Sequence, residues 1–519
     1  MEFLKKNIHM ERTKCRMSSQ ITLEEDRNIS DRQPDAAVIL MDQGRVAIDE
    51  VRPGKDGVIV KGRYCYDVLY QSEEEGRLCA IRGELPFDEK IRLDAADIGD
   101  TYQCTGEVEH RSIGLINSRK ISIRVLLNLC VRAEELYSQE IIEDVADIKN
   151  MEIRKEALEE SFLRIQKNDV FRLKEEIQLP GNLPGITEPL WNCGHPGKVE
   201  IRPLEDAIGI KGELEVFFLY EGEGEERPIR FYQTVLPFSG NLECIGSRED
   251  MVEDIVPELA VWNVNVKPDY DGEDRILEIE MVLNLPIRLL ETQEVQIVSD
   301  VYGIRQSVQP RFEKVECRKL QQRLNAKLKK VESVKLSPSD PRISQICHLE
   351  NKAVIEEVER TEKGLEITGV IETCILYITG EEATPYYSKK AAIPFQTQFD
   401  LPELGDKDTW RLHAVLEHCE GIILDGETIE WKGTVLLEGM LWRHWEQPVM
   451  TTVLIEDEDT QSTCKKMPGM VVYVADGGET IWNVGKKYRA PLEPIRSLNQ
   501  LTEDELQRGQ KILIVKEVL

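Results

Sequence analysis

Residue types that do chemistry are sparse in this chain of 519 residues. Cys193-Gly194-His195 sets a thiol close to an imidazole, the pairing of a nucleophile with its base. Nearness in sequence does not make a dyad, however, and no third orienting group accompanies the pair. The segment reads as a turn between strand segments. His413, His418, Cys419 and His444 invite a metal, yet on a strand the five-residue gap puts His413 and His418 on opposite faces. No G-x-x-x-x-G-K-S/T loop occurs, which excludes a P-loop nucleotide site. Glutamate-rich loops such as Glu221-Gly222-Glu223-Gly224 lack the regular ligand spacing of a calcium loop. The sequence therefore predicts no enzyme, no metal site and no cofactor.

The elements that must position any site are set by length and charge. At roughly 150 residues per domain, the chain holds about three or four domains. Hydrophobic residues make up 41%, enough to bury a core along most of the length. The net charge is −30, which repels phosphate backbones and anionic lipid, so nucleic acid is excluded as a partner of the bulk surface. Twelve cysteines are scattered singly with no C-x-x-C pair, which suits reduced thiols in a cytosol rather than a disulfide framework or a zinc module. The first residues carry no apolar segment of a signal peptide, and no run of about 18 apolar residues predicts a transmembrane helix.

Self-similarity is the dominant signal. Lys61-Gly62 leading to Leu69-Tyr70 returns as Lys211-Gly212 to Leu219-Tyr220, and as Thr368-Gly369 to Leu376-Tyr377. Downstream stand Leu85-Pro86-Phe87, Leu236-Pro237-Phe238 and Ile393-Pro394-Phe395. The period of about 150–157 residues is that of a whole domain rather than a solenoid unit. Leu214, Val216, Phe218 and Tyr220 share one face of a period-two pattern, so each unit reads as half-buried strands joined by hairpins. Asp271-Gly272 and Asp425-Gly426 are further hairpin turns. The expected fold is mainly β: three repeated antiparallel β-sandwich-like domains joined by helical connectors. The connectors are placed at Asp147–Lys167, where apolar residues take mostly helical spacing, and at Phe312–Val331, which is basic and amphipathic in part.

The predicted boundaries are repeat 1 with an N-terminal helix over 1–147, a connector and repeat 2 over 148–310, a connector and repeat 3 over 311–455, a linker over 456–469, and a small module over 470–519. That last module has seven acidic and seven basic residues, so the whole net charge belongs to the rest of the chain. Its pattern is strand, helix capped by Thr480, helix, strand.

Tyr473-Val474, Gly478-Glu479-Thr480-Ile481-Trp482, Lys487-Tyr488, Asn499 and Gly509-Gln510-Lys511-Ile512 make this module resemble the LysM family over about 45 residues. The resemblance implies a βααβ fold with a shallow groove for N-acetylglucosamine chains. That groove maps onto Gly478, Glu479, Thr480, Ile481 and Trp482 on one side, and Asn499 to Leu501 on the other. Glu479 stands where the family has aspartate, Arg489 where it has glycine, and Pro491 where it has serine or threonine. The long repeats, with their Gly…Leu-Tyr and Pro-Phe signatures, resemble the SPOCS domain of sporulation proteins.

Together the resemblances imply a spore-coat morphogenetic adaptor in the mother-cell cytoplasm, recruited to the forespore surface and coat layer. It would bind the coat-basement ATPase through its LysM module, with other coat proteins as further partners. The alternative is a peptidoglycan-binding protein anchored through LysM. A single neutral module argues for a shape-based protein contact, with Trp482 as its aromatic anchor.

Overall fold

The computed structural model describes residues 2–54, 57–73, 76–93, 99–146, 150–225, 227–305, 307–381, 384–456 and 469–515. Most of the predicted linker, residues 457–468, and part of two acidic hairpin tips lie outside the described residues.

The first unit holds β1 (Glu2–Asn28), β2 (Ala36–Gly54), β3 (Gly57–Ser72), β4 (Leu78–Ile91), β5 (Thr101–Asn117) and β6 (Lys120–Ala146). They form two antiparallel sheets, ordered β1-β6-β5 and β2-β3-β4. The second unit holds β7 (Met151–Gln178), β8 (Ile186–Pro196), β9 (Glu200–Leu204), β10 (Ala207–Gly222), β11 (Ile229–Glu243), β12 (Val252–Glu253), β13 (Glu258–Pro268) and β14 (Asp274–Gly303). Its sheets are β12-β14-β13 with β7 on β14, and β11-β10-β8 with β9 on β10. The third unit holds β15 (Ser307–Lys335), β16 (Ile343–Thr361), β17 (Gly364–Thr379), β18 (Tyr386–Asp400), β19 (Thr409–Asp425) and β20 (Thr428–Glu456), in sheets β15-β20-β19 and β16-β17-β18. The molecule is thus mainly β, built from repeated antiparallel sheets.

The repeated sequence signatures are the packing of each unit. Gly62, Gly212 and Gly369 lie directly across the ladder from Phe87, Phe238 and Phe395. A Cβ at any of the three glycines would strike the phenylalanine ring, so the glycine makes room for a phenylalanine on the facing strand. The buried Tyr70, Tyr220 and Tyr377 each donate a hydroxyl hydrogen bond to a proline carbonyl 36 residues upstream: Pro34 at 3.1 Å, Pro184 at 3.1 Å and Pro341 at 3.0 Å.

Residues 147–149 of the first expected connector lie outside the described residues. Among the described residues, the expected N-terminal helix and both connector helices are strands. They are β1, β7 and β15, the long first strand of each unit, paired along nearly their whole length with β6, β14 and β20. The helical spacing has a physical origin in β-bulges. Lys14, Arg164 and Gln321 are each an extra residue in the ladder, at corresponding places in the three units. A bulge moves the apolar residues beyond it to the other parity, so a period of two acquires gaps of three that imitate a helix. On β7, Leu158, Glu160 and Phe162 are buried before the bulge, and Phe171 and Leu173 after it.

The three units close on one another. The small sheets meet in an apolar cluster that takes Leu40 and Met41 from the first, Leu190 and Trp191 from the second, and Cys347 and Leu376 from the third. The long hairpins meet around Ile141, Leu158, Phe162, Ile297, Val315 and Val449. Ion pairs join each neighbouring pair. Arg77 meets Glu221 at 2.9 Å, and Lys390 meets Asp42 at 2.6 Å. Arg288 and Glu134, both buried, meet at 2.7 Å, and Arg411 reaches Asp254 at 2.9 Å.

The C-terminal module has the strand–helix–helix–strand order expected of it: β21 (Met470–Val474), α1 (Ile481–Tyr488), α2 (Leu492–Asn499) and β22 (Lys511–Val515). β21 and β22 pair antiparallel, and Ile481, Val484, Ile495, Leu506, Ile512 and Ile514 form its core.

Candidate functional site: the C-terminal module and the junction of the second and third repeats

The residues expected to line the groove have definite structural duties. Gly478 takes φ +88° in the turn before α1, a conformation that favours glycine. Glu479 accepts the Tyr473 hydroxyl at 2.8 Å and the Asp476 amide at 2.9 Å, which holds its carboxyl below the usual range. Thr480 caps α1 in a reciprocal box with Asn483. Ile481 is core. The Asn499 amide clamps α2 to β22: it donates to the Ile495 and Leu513 carbonyls at 2.8 Å and accepts the Leu513 amide at 2.7 Å. Leu501 packs on the module core.

Trp482, expected as the anchor for a partner, is covered by the second repeat. Its indole donates to Asp300 at 2.8 Å and stands edge-on to Tyr302, ring centroids 5.0 Å apart. Lys486 pairs with the same Asp300 at 2.6 Å. The Tyr302 hydroxyl donates to the Ala490 carbonyl at 2.8 Å. Two of the three departures from the LysM pattern, Arg489 and Pro491, fall beside this contact. Arg489 ends α1 in the left-handed conformation, φ 50°, beside Ala490. Pro491 gives α2 no side-chain cap, and Glu152 of β7 accepts the Leu492 amide at 3.0 Å instead. A carboxylate at a helix N-terminus also meets the positive end of the helix dipole. Sequence reasoning missed this docking, although Pro491 was its signal: a helix start that lacks its own cap needs one from elsewhere.

A free surface remains on the other side of the module. Met470, Val472 and Val474 alternate along β21 and are each 54–62% exposed.

The cluster that sequence reasoning set aside assembles at the junction of repeats. Cys193-Gly194-His195 is not a turn; it lies in β8, an edge strand, with Cys193 and His195 on one face. His348 and Glu350 share a face of β16, the edge strand of the third repeat. His348 Nε2 lies 3.3 Å from Cys193 Sγ and 3.2 Å from Glu350 Oε2. His195 Nε2 lies 3.3 Å from Glu350 Oε2. One ligand atom from each residue falls within 4.8 Å of all the others. Cys193 and His348 are buried, and the His348 ring stacks on Phe217 with centroids 4.0 Å apart.

Burial disfavours the charged forms here, but the neighbours outweigh it. His348 next to the Cys193 sulfur holds that thiol below its ordinary range, and Cys193 with Glu350 raises His348 to about 9. Glu350, facing both histidines, is held well below the usual carboxylate range. A signal for this meeting was present in the repeat. Cys193 precedes Tyr220 by 27 residues and Glu350 precedes Tyr377 by 27, so the two occupy the same place in successive units. In the first repeat that place is Gln43, whose amide donates to the Asn192 carbonyl at 3.2 Å. The other suspected metal residues do not converge: His413 faces Glu438 at 3.7 Å, and His444 bonds Thr409 at 2.9 Å.

Comparison with known families matches the model described as SipL, SPOCS domain, three times, at residues 35–116, 186–267 and 342–424. These matches support a SipL-like repeat protein with three SPOCS-type units. Each SPOCS match begins just before or at the first strand of a small sheet and ends within the strand that returns to the long hairpin. The likeness supports a role in sporulation related to the spore coat. No curated protein and no solved structure matches the chain. No helix among the described residues is long and apolar enough to cross a membrane.

Proposed function

We propose that this chain is a non-enzymatic adaptor of spore-coat assembly, with the SPOCS repeats as its body and the C-terminal βααβ module as its contact with the coat-basement ATPase. The observation that carries the reading is the threefold SPOCS match. The LysM-like order of the module supports a binding role for it. The polar atoms of Glu479 and Asn499 are engaged inside the module, which favours a protein ligand over sugar hydroxyls. The open edge of β21, with Met470, Val472 and Val474 facing outward, suits strand-edge or apolar contact with a folded partner. In this reading the partner meets β21, while Trp482 fastens the module to the second repeat. The adaptor acts in the mother cell and gathers at the forespore surface.

A fluorescent fusion in a sporulating host tests it. The expected signal is a shell around the forespore that depends on residues 470–519 and is lost on Val472→Asp. A signal spread along the vegetative envelope would overturn the reading in favour of peptidoglycan binding.

A further inference from the structure

We propose that Cys193, His195, His348 and Glu350 form a four-coordinate zinc site that staples the second SPOCS repeat to the third. The four groups come from two edge strands that no backbone ladder joins. They nevertheless bring one sulfur, two imidazole nitrogens and one carboxylate oxygen within 4.8 Å of one another. Tetrahedral zinc with bonds of about 2.0–2.3 Å separates its ligand atoms by roughly 3.3–3.6 Å. Cys193–His348, His348–Glu350 and His195–Glu350 stand at 3.2–3.3 Å, close to that spacing, and the other pairs lie within 4.8 Å, near enough for a bound ion to draw them in.

Hydrogen bonding alone satisfies the four groups only through a shared proton. His348 Nε2 faces both the Cys193 sulfur and the Glu350 carboxylate, and one ring nitrogen carries at most one proton to share between them. The same Glu350 oxygen faces His195 as well. A divalent cation at the centre engages all four atoms at once. Charge agrees: a thiolate and a carboxylate cancel the two positive charges, and the imidazoles are neutral, so a neutral unit sits beside the apolar cluster of Trp191, Phe217 and Leu219. The donor set of one sulfur, two nitrogens and one oxygen is that of zinc rather than of calcium or magnesium. With all four positions filled by protein, the site is structural, and its ligands leave no open position for a substrate.

The test uses the full chain, purified without chelator, and mass-spectrometric metal analysis. About one equivalent of zinc per chain is expected, removed by a strong chelator together with a fall in melting temperature. Cobalt(II) added to the metal-free chain should give the intense visible absorption of a tetrahedral site, with a sulfur-to-metal band that Cys193→Ser abolishes. His195→Asn lies at the rim, where the side chain is 42% exposed, so it keeps the fold available if Cys193→Ser does not. It should lose the zinc while circular dichroism stays native. Cys65→Ser, in the first repeat, should keep it. A metal-free wild-type chain that gives only the weak absorption of hydrated cobalt, or zinc retained in both Cys193→Ser and His195→Asn, would overturn the site.

Discussion

Glu160 offers a quantitative test of the way the second and third repeats close. It is buried on β7 among residues of the long-hairpin junction, with Cys317 and Arg318 of β15 beside it. Burial pushes its carboxyl up from an ordinary 4.5 to about 7, and the Arg318 backbone and Cys317 offset this only in part. Each factor of ten in proton affinity is worth about 1.4 kcal/mol, so the ionised form is disfavoured in the folded chain by about 3 kcal/mol. The sign follows from the higher affinity of the folded state. Folding takes up protons between the two values, so stability is greatest below the ordinary carboxyl range. It falls as the pH rises, and the loss is complete once the pH passes the folded value. Glu160→Gln keeps the shape and cannot ionise. Its stability advantage over the parent should therefore grow by about 2.5 kcal/mol from roughly pH 5 to pH 8. For a body of some 450 residues this is a relative rise in melting temperature of about 2–3 °C. Differential scanning calorimetry of both proteins at the two pH values reads it. A gap that stays constant across that range would refute the burial of Glu160 at this junction.

Three further outcomes follow from the packing. Arg288→Met removes the cation that Glu134 and Asp254 share, leaving them Arg132 at 3.4 Å and Arg411 at 2.9 Å, and should cost up to about 3 kcal/mol in denaturant unfolding at neutral pH. Asp300→Ala removes the acceptor of the Trp482 indole and the partner of Lys486, a loss of about 1.5–3 kcal/mol from the docking contact. Small-angle scattering should then show a larger radius of gyration, whereas an unchanged radius would deny that Trp482 fastens the module. Asn499→Ala breaks the clamp between α2 and β22, and exchange of the Leu513 amide should quicken by about 5- to 100-fold if that bond is what protects it.

Much of this architecture was legible because it repeats. The Gly, Leu-Tyr and Pro-Phe signatures mark the same contacts in each unit: glycine against phenylalanine across a ladder, and tyrosine against a proline carbonyl. The long first strands were misread because their bulges at Lys14, Arg164 and Gln321 shift the apolar parity, and no local pattern reveals a partner strand more than 100 residues away. The strand–helix–helix–strand order of the C-terminal module was readable from its caps and core positions. Its docking was not, since Asp300, Tyr302 and Glu152 lie 182 residues or more before the residues that they hold. The four-residue cluster escaped for a similar reason. Cys193 and His195 lack a third group within their own repeat, and the partners arrive from the equivalent strand of the next one.

The adaptor reading meets its most direct test in co-purification from sporulating cells, comparing the full chain with one lacking residues 470–519. The coat-basement ATPase should be recovered with the full chain and lost with the shortened one, while the SPOCS body stays folded. Recovery of the ATPase by both chains, or by neither while the full chain is retained on insoluble peptidoglycan, would contradict it.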